Sequence, residues 1–112
     1  MSYSRYRIPR ERRLAEGFTE PAEVAETRHE IRIAMALAKA VYDRRTQLGL
    51  TRAELADRAG LTQAEVSRIE GSDTVPTLPR LARLAKALDA TLDITLDGDG
   101  THAGFTTPQE AV

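Results

Sequence analysis

The sequence predicts an all-α fold of five helices, with a long N-terminal helix and one short C-terminal β-strand. Three observations predict it. Two capping boxes, Thr51 with Glu54 and Thr62 with Glu65, stand close together, and each starts a helix. Val24, Ile31, Met35, Ala38, Val41 and Leu48 recur at a helical spacing of about 3.5 residues. Residues 91–96 instead alternate with period two: Leu92, Ile94 and Leu96 point one way, Thr91, Asp93 and Thr95 the other, which is a strand signal.

Residues 1–20 show no periodicity and are rich in arginine. They read as a flexible arm, with a helical turn near Arg10 to Glu16, that is either a solvated tail or a contact for phosphates or a protein. Thr19-Glu20-Pro21 reads as a helix start, with Thr19 as cap and Pro21 in the first turn. Glu20, Glu23 and Glu26 then lie where the helix dipole favours acids, and Arg44 and Arg45 where it favours bases. The helical residues 21–90 open with one long helix, or two joined near Thr27 to Glu30, ending before Gly49. Its first half overhangs the domain and needs a partner or a second copy. Thr77 caps a later helix with Pro79 in its first turn and Leu78, Leu81, Leu84, Ala85 and Leu88 as its apolar stripe. No second strand is evident, so the strand 91–96 is expected to pair with another chain. Residues 97–112 read as a disordered acidic tail.

The centre of the chain is the most constrained part. Leu55, Ala56 and Ala59, then Leu61, Val66 and Ile69, give each of two short helices one buried stripe. Ala56 and Ala59 are small enough for the second helix to cross closely. Gly60 stands just past the first helix, where a left-handed backbone ends it cheaply. Two such helices form a helix-turn-helix, the unit that lays its second helix in the DNA major groove.

At these residues the chain resembles the Cro/repressor-type helix-turn-helix family, also called XRE. The resemblance rests on Glu54-Leu55-Ala56, Gly60-Leu61-Thr62-Gln63 and Ser67-Arg68-Ile69-Glu70-Gly71, and extends through Pro76-Thr77-Leu78, Leu81, Leu84, Ala85 and Leu88. It spans roughly residues 31–96. Arg52 stands where the family usually has Gln. The long first helix, the motif and the terminal strand together are similar in layout to HigA-like antitoxins. That layout implies a homodimer that represses its own operon and binds a RelE-like toxin. A stand-alone regulator with no toxin is the alternative, and a scaffold that has lost DNA binding is a third reading, which Gln63 and Arg68 oppose.

The outward positions of the second helix are Gln63, Ala64, Ser67 and Arg68. Gln63 can hydrogen-bond adenine doubly, Ala64 can touch a thymine methyl, and Arg68 can reach guanine or phosphate. Thr62 can offer phosphate a hydroxyl and a helix N-terminal N–H, and Arg52 a guanidinium. By the resemblance, Arg45 and Glu70 form a structural ion pair. Leu92, Ile94 and Leu96 are the candidate dimer or partner strand.

Composition narrows the alternatives. The 112 residues contain no cysteine, which excludes disulfides and cysteine-based metal or redox sites. Net charge is −1, but residues 1–90 hold all 16 bases against 13 acids, and residues 91–112 hold acids only. Weak charge on one copy favours a dimer as the DNA ligand. The stretch Ile33 to Val41 is too short to span a bilayer and contains Lys39, and no secretory signal is visible, so a cytoplasmic protein is expected. His29-Glu30 lacks the second histidine of a zinc helix, since Ile33 stands in its place. Asp97-Gly98-Asp99-Gly100 would need Glu where Pro108 stands to be a calcium loop. No catalytic site, metal or cofactor is expected.

Overall fold

The computed structural model describes residues 21–98 and 100–107. Among them the chain forms four helices and a two-stranded antiparallel sheet: α1 (Ala22–Gln47), α2 (Arg52–Ala59), α3 (Gln63–Glu70), α4 (Leu78–Ala87), β1 (Thr91–Asp97) and β2 (Gly100–Thr106). The expected arm, its helical turn and the Thr19 cap lie outside the described residues. Pro21 occupies the cap position of α1, and α1 is one uninterrupted helix rather than two.

Local chemistry sets the short helices. Thr51 and Thr62 each accept a hydrogen bond from the backbone N–H three residues on, and Glu54 and Glu65 each reach back to the cap N–H. Both capping boxes are therefore complete. Gly60 ends α2 at φ 67, so the turn into α3 takes a conformation that a Cβ would strain. Thr77 caps α4 through Arg80 N–H, with Pro79 in the first turn.

The core is aliphatic. Leu37, Leu55, Leu84, Leu88, Val41 and Val66 are the largest fully buried side chains, joined by Leu50, Ala56, Ala59, Ile69 and Leu81. Arg44 bolts the end of α1 to the end of α4, its Nε donating to Leu88 O at 3.0 Å and its Nη2 to Asp89 O at 3.3 Å. This arginine serves the C-terminal carbonyls of a different helix from the one whose dipole it was expected to complement.

The C-terminal segment departs from the sequence reading. β1 is not a lone strand awaiting another chain: it pairs in register with β2, from Thr91 opposite Thr106 to Asp97 opposite Gly100. Residues 100–106 are thus part of the fold, not of a tail. Leu92 with Phe105 opposite, and Ala103, pack against the helical core. Asp97 Oδ1 accepts from Gly100 N at 2.9 Å and closes the turn, and Thr106 Oγ1 donates to Asp93 Oδ2 at 3.0 Å across the strands. The row of N–H and C=O groups thought to need a second molecule is satisfied within the chain along one edge.

Candidate nucleic-acid interface

α3 presents Gln63, Ala64, Ser67 and Arg68 to solvent while Val66 and Ile69 are buried beneath them. The exposed side chains sit on a helix only eight residues long, too short to hold itself in water. Its position is fixed from both ends. At the start, Thr62 and Glu65 form the capping box, and Arg80 of α4 donates to Glu65 Oε1 at 3.4 Å. At the end, Glu70 is clamped.

The clamp is an arginine fork. Arg45 Nε donates to Glu70 Oε2 at 2.7 Å and Arg45 Nη2 to Glu70 Oε1 at 3.0 Å. Arg45 Nη1 donates to Leu50 O at 2.7 Å, so one guanidinium ties the end of α1, the following loop and the end of α3. The Arg45 side chain is 11% exposed and that of Glu70 1%. The hydrogen bonds to Glu70 raise the Arg45 pKa above its ordinary value, outweighing the desolvation that opposes them. The Tyr42 ring lies 5.3 Å from the guanidinium carbon, in cation–π range.

Arg52 joins the same carboxylate. Its Nε donates to Glu70 Oε1 at 3.1 Å while its side chain stays 47% exposed. The sequence reading placed Arg52 at a phosphate and missed this contact. The signal was present, because both residues flank the helix-turn-helix, but eighteen positions separate them and no local spacing rule joins them. Thr62 Oγ1 accepts from Glu65 N, which leaves its hydroxyl proton to donate elsewhere.

The structure therefore groups Arg52, Thr62, Gln63, Ala64, Ser67 and Arg68 around α2 and α3, and joins Arg45 to Glu70 directly. It puts the third set of residues elsewhere, on the hairpin. Leu92 faces the core, Ile94 is 37% exposed and Leu96 is 62% exposed. No described helix is long and apolar enough to cross a membrane.

The arrangement defines a helix-turn-helix unit followed by a hairpin. The helix-turn-helix family model HTH_3 matches residues 41–94, just under half of the chain, and that span contains the whole motif read from the sequence. Solved structures agree on the fold. A mutant of the restriction-modification controller protein C.Esp1396I is 22% identical, with a TM-score of 0.51 over 53% of this chain and 77% of that one. An HTH_3 family transcriptional regulator from Vibrio cholerae is 24% identical at TM-score 0.54 over 55% of this chain, which spans only 35% of that longer protein. The clp gene regulator ClgR from C. glutamicum is 27% identical at TM-score 0.51 over 53% of this chain and 77% of its own.

Proposed function

We propose that this protein is a sequence-specific DNA-binding transcriptional regulator, a repressor that acts as a homodimer on an inverted repeat. The observation that carries the reading is the exposed row Gln63, Ala64, Ser67 and Arg68 on a helix anchored at both ends. Base readout needs side chains held to a fraction of an ångström, and the Glu70 clamp supplies that rigidity. Gln63 and Arg68 read base edges, while Arg52 and Thr62 contact phosphates. Arg52 spends its Nε on Glu70, so its Nη groups are what it turns toward the backbone. The protein acts by binding and not by catalysis. Footprinting on the promoter of its own gene tests the reading: half-sites about 34 Å apart, or a multiple of it, are expected. Protection of a single unsymmetrical half-site would contradict it.

Within this reading, the long first helix and the motif, two of the three features that resemble HigA-like antitoxins, support a version in which the regulator also binds a RelE-like toxin. The specific observation in its favour is the exposure of Ile94 in the middle of β1 and of Leu96 near the hairpin tip. A stand-alone regulator is the alternative. Coexpression with the product of the neighbouring gene decides: copurification of a small basic protein supports the antitoxin version, and its absence supports the stand-alone one.

A further inference from the structure

The first half of α1 lies beyond the core. No residue of the helix before Ala34 is buried, yet the helix begins at Ala22. A segment of that length is marginal in water unless something packs on it. It carries an apolar stripe: Val24 is 41% exposed, Ile31 54%, Met35 58% and Tyr42 47%. Steps of seven, four and seven residues separate them, the spacing of a heptad seam. At about 1.5 Å per residue the stripe is about 27 Å long.

The charges beside the stripe say what it fits. At roughly 100° per residue, Arg28, Arg32 and Lys39 flank one side of it, Lys39 also pairing with Asp43 one turn on, while Glu23 and Glu30 stand further round on the other side. Two such helices laid side by side in the same direction bring the basic border of one against the acidic border of the other. Laid in opposite directions, they set like borders together. The borders are therefore complementary to a second copy in parallel. The hairpin no longer needs a second copy, because β1 is paired within the chain.

We propose that α1 is the dimerisation helix, its stripe Val24, Ile31, Met35 and Tyr42 packed in parallel on the same stripe of a second copy. This rests on the proposed homodimer and names its surface. The chain has no cysteine, so Val24→Cys and Met35→Cys variants each carry a single thiol. In a parallel pair, mild oxidation links both variants into covalent dimers. In an antiparallel pair positions 24 and 35 cannot both meet their own copies. Sedimentation should show a two-chain particle for the parent, and a one-chain mass of 12.3 kDa for the Ile31→Lys, Met35→Lys double variant with its helical circular dichroism retained. Both replaced side chains are more than half exposed, so folding should survive; the cysteine variants give an independent readout if it does not. A parent of one-chain mass, a double variant that remains dimeric, or cross-linking at fewer than both positions overturns the proposal. A dimeric parent whose double variant stays dimeric overturns this inference alone, a monomeric parent that still shifts DNA overturns it together with the homodimer but leaves DNA binding standing, and a dimer that binds no DNA overturns only the regulator reading.

Discussion

Glu70, the last residue of α3, is bonded by two of its carboxylate contacts to Arg45 near the end of α1. The helix proposed to read DNA is thus docked through an ion pair that solvent scarcely reaches. Such a pair is weak evidence for net stability, because both charges lose hydration. Breaking it is another matter. Glu70→Ala leaves the Arg45 guanidinium buried without its counter-charge, held by Leu50 O and the Tyr42 ring alone, and removes the anchor of Arg52 as well. A loss of about 3–5 kcal/mol is expected in urea unfolding. A loss under about 1 kcal/mol would show that the fork contributes little to holding α3.

Arg52 and Gln63 should fail differently in DNA binding. Gln63 has no structural bond to lose, so Gln63→Ala should keep its fold and cost about 1–3 kcal/mol on the preferred site, with relaxed preference at one base. Arg52→Ala removes a half-exposed ion pair with Glu70, worth at most about 1 kcal/mol of stability. It should weaken all DNA sequences alike and lower the salt slope by about one. Band shifts at several salt concentrations, beside thermal melts, separate the two effects. Equal binding of every site by Gln63→Ala and the parent removes Gln63 from base readout.

The α2 cap gives a pH dependence of fixed sign. The Thr51 backbone N–H, donating to Glu54 Oε1 at 2.9 Å, holds that carboxyl below its ordinary value, helped by the Thr51 side chain. A depressed carboxyl contributes stability that is present above its unfolded pKa of about 4.3 and is lost as pH falls through the lower folded value. Stability should therefore decline from about pH 5 downward, with part of the decline belonging to Glu54. Glu54→Gln keeps an acceptor for the cap and should flatten that part of the curve. Unfolding midpoints across this range are the measurement. An identical slope in the variant would mean that other carboxyls carry all of it.

What was legible in the sequence was whatever local chemistry writes down. Thr51 with Glu54, Thr62 with Glu65 and Thr77 with Pro79 each specify a helix start within four residues, and Gly60 specifies a stop. The β2 strand was not legible for a related reason. Thr101, Ala103 and Phe105 share one face of it, so only one large apolar side chain marks the alternation, and Gly100 and Gly104 dilute it further. Packing of the partly buried Phe105 and Ala103 on the core overrides the low strand preference of glycine. The turn itself was signalled: an Asp-Gly pair after alternating residues is a hairpin cue, here read against a calcium loop instead. At the site, the exposed row on α3 follows from the motif, whereas the sharing of Glu70 by Arg45 and Arg52 depends on how the helices pack and no spacing announces it.

The hairpin yields a contrast between two residues on the same face of β1. Leu92 lies opposite Phe105 and packs on the core; Ile94 lies opposite Ala103 and is 37% exposed. Had β1 been a strand shared between molecules, Ile94→Lys would have dissolved the dimer. With β1 closed on β2, a lysine there can reach solvent along its stem, and its cost should stay within about 1 kcal/mol. It should not change the sedimenting mass. Leu92 is half-buried against the aliphatic core, so Leu92→Lys loses an apolar contact that a lysine stem cannot fully restore, and a loss of about 2 kcal/mol is expected. The damage should concentrate at the C-terminal end, because Leu92 packs on the outside of the helical core that runs from Leu37 to Leu88. Hydrogen exchange resolved by residue checks this: amides of 91–106 should lose protection in Leu92→Lys while those of α2 and α3 keep theirs. Equal stability of the two variants would mean that the hairpin does not rest on the core through Leu92. A change of mass in Ile94→Lys would return the dimer contact to the strand.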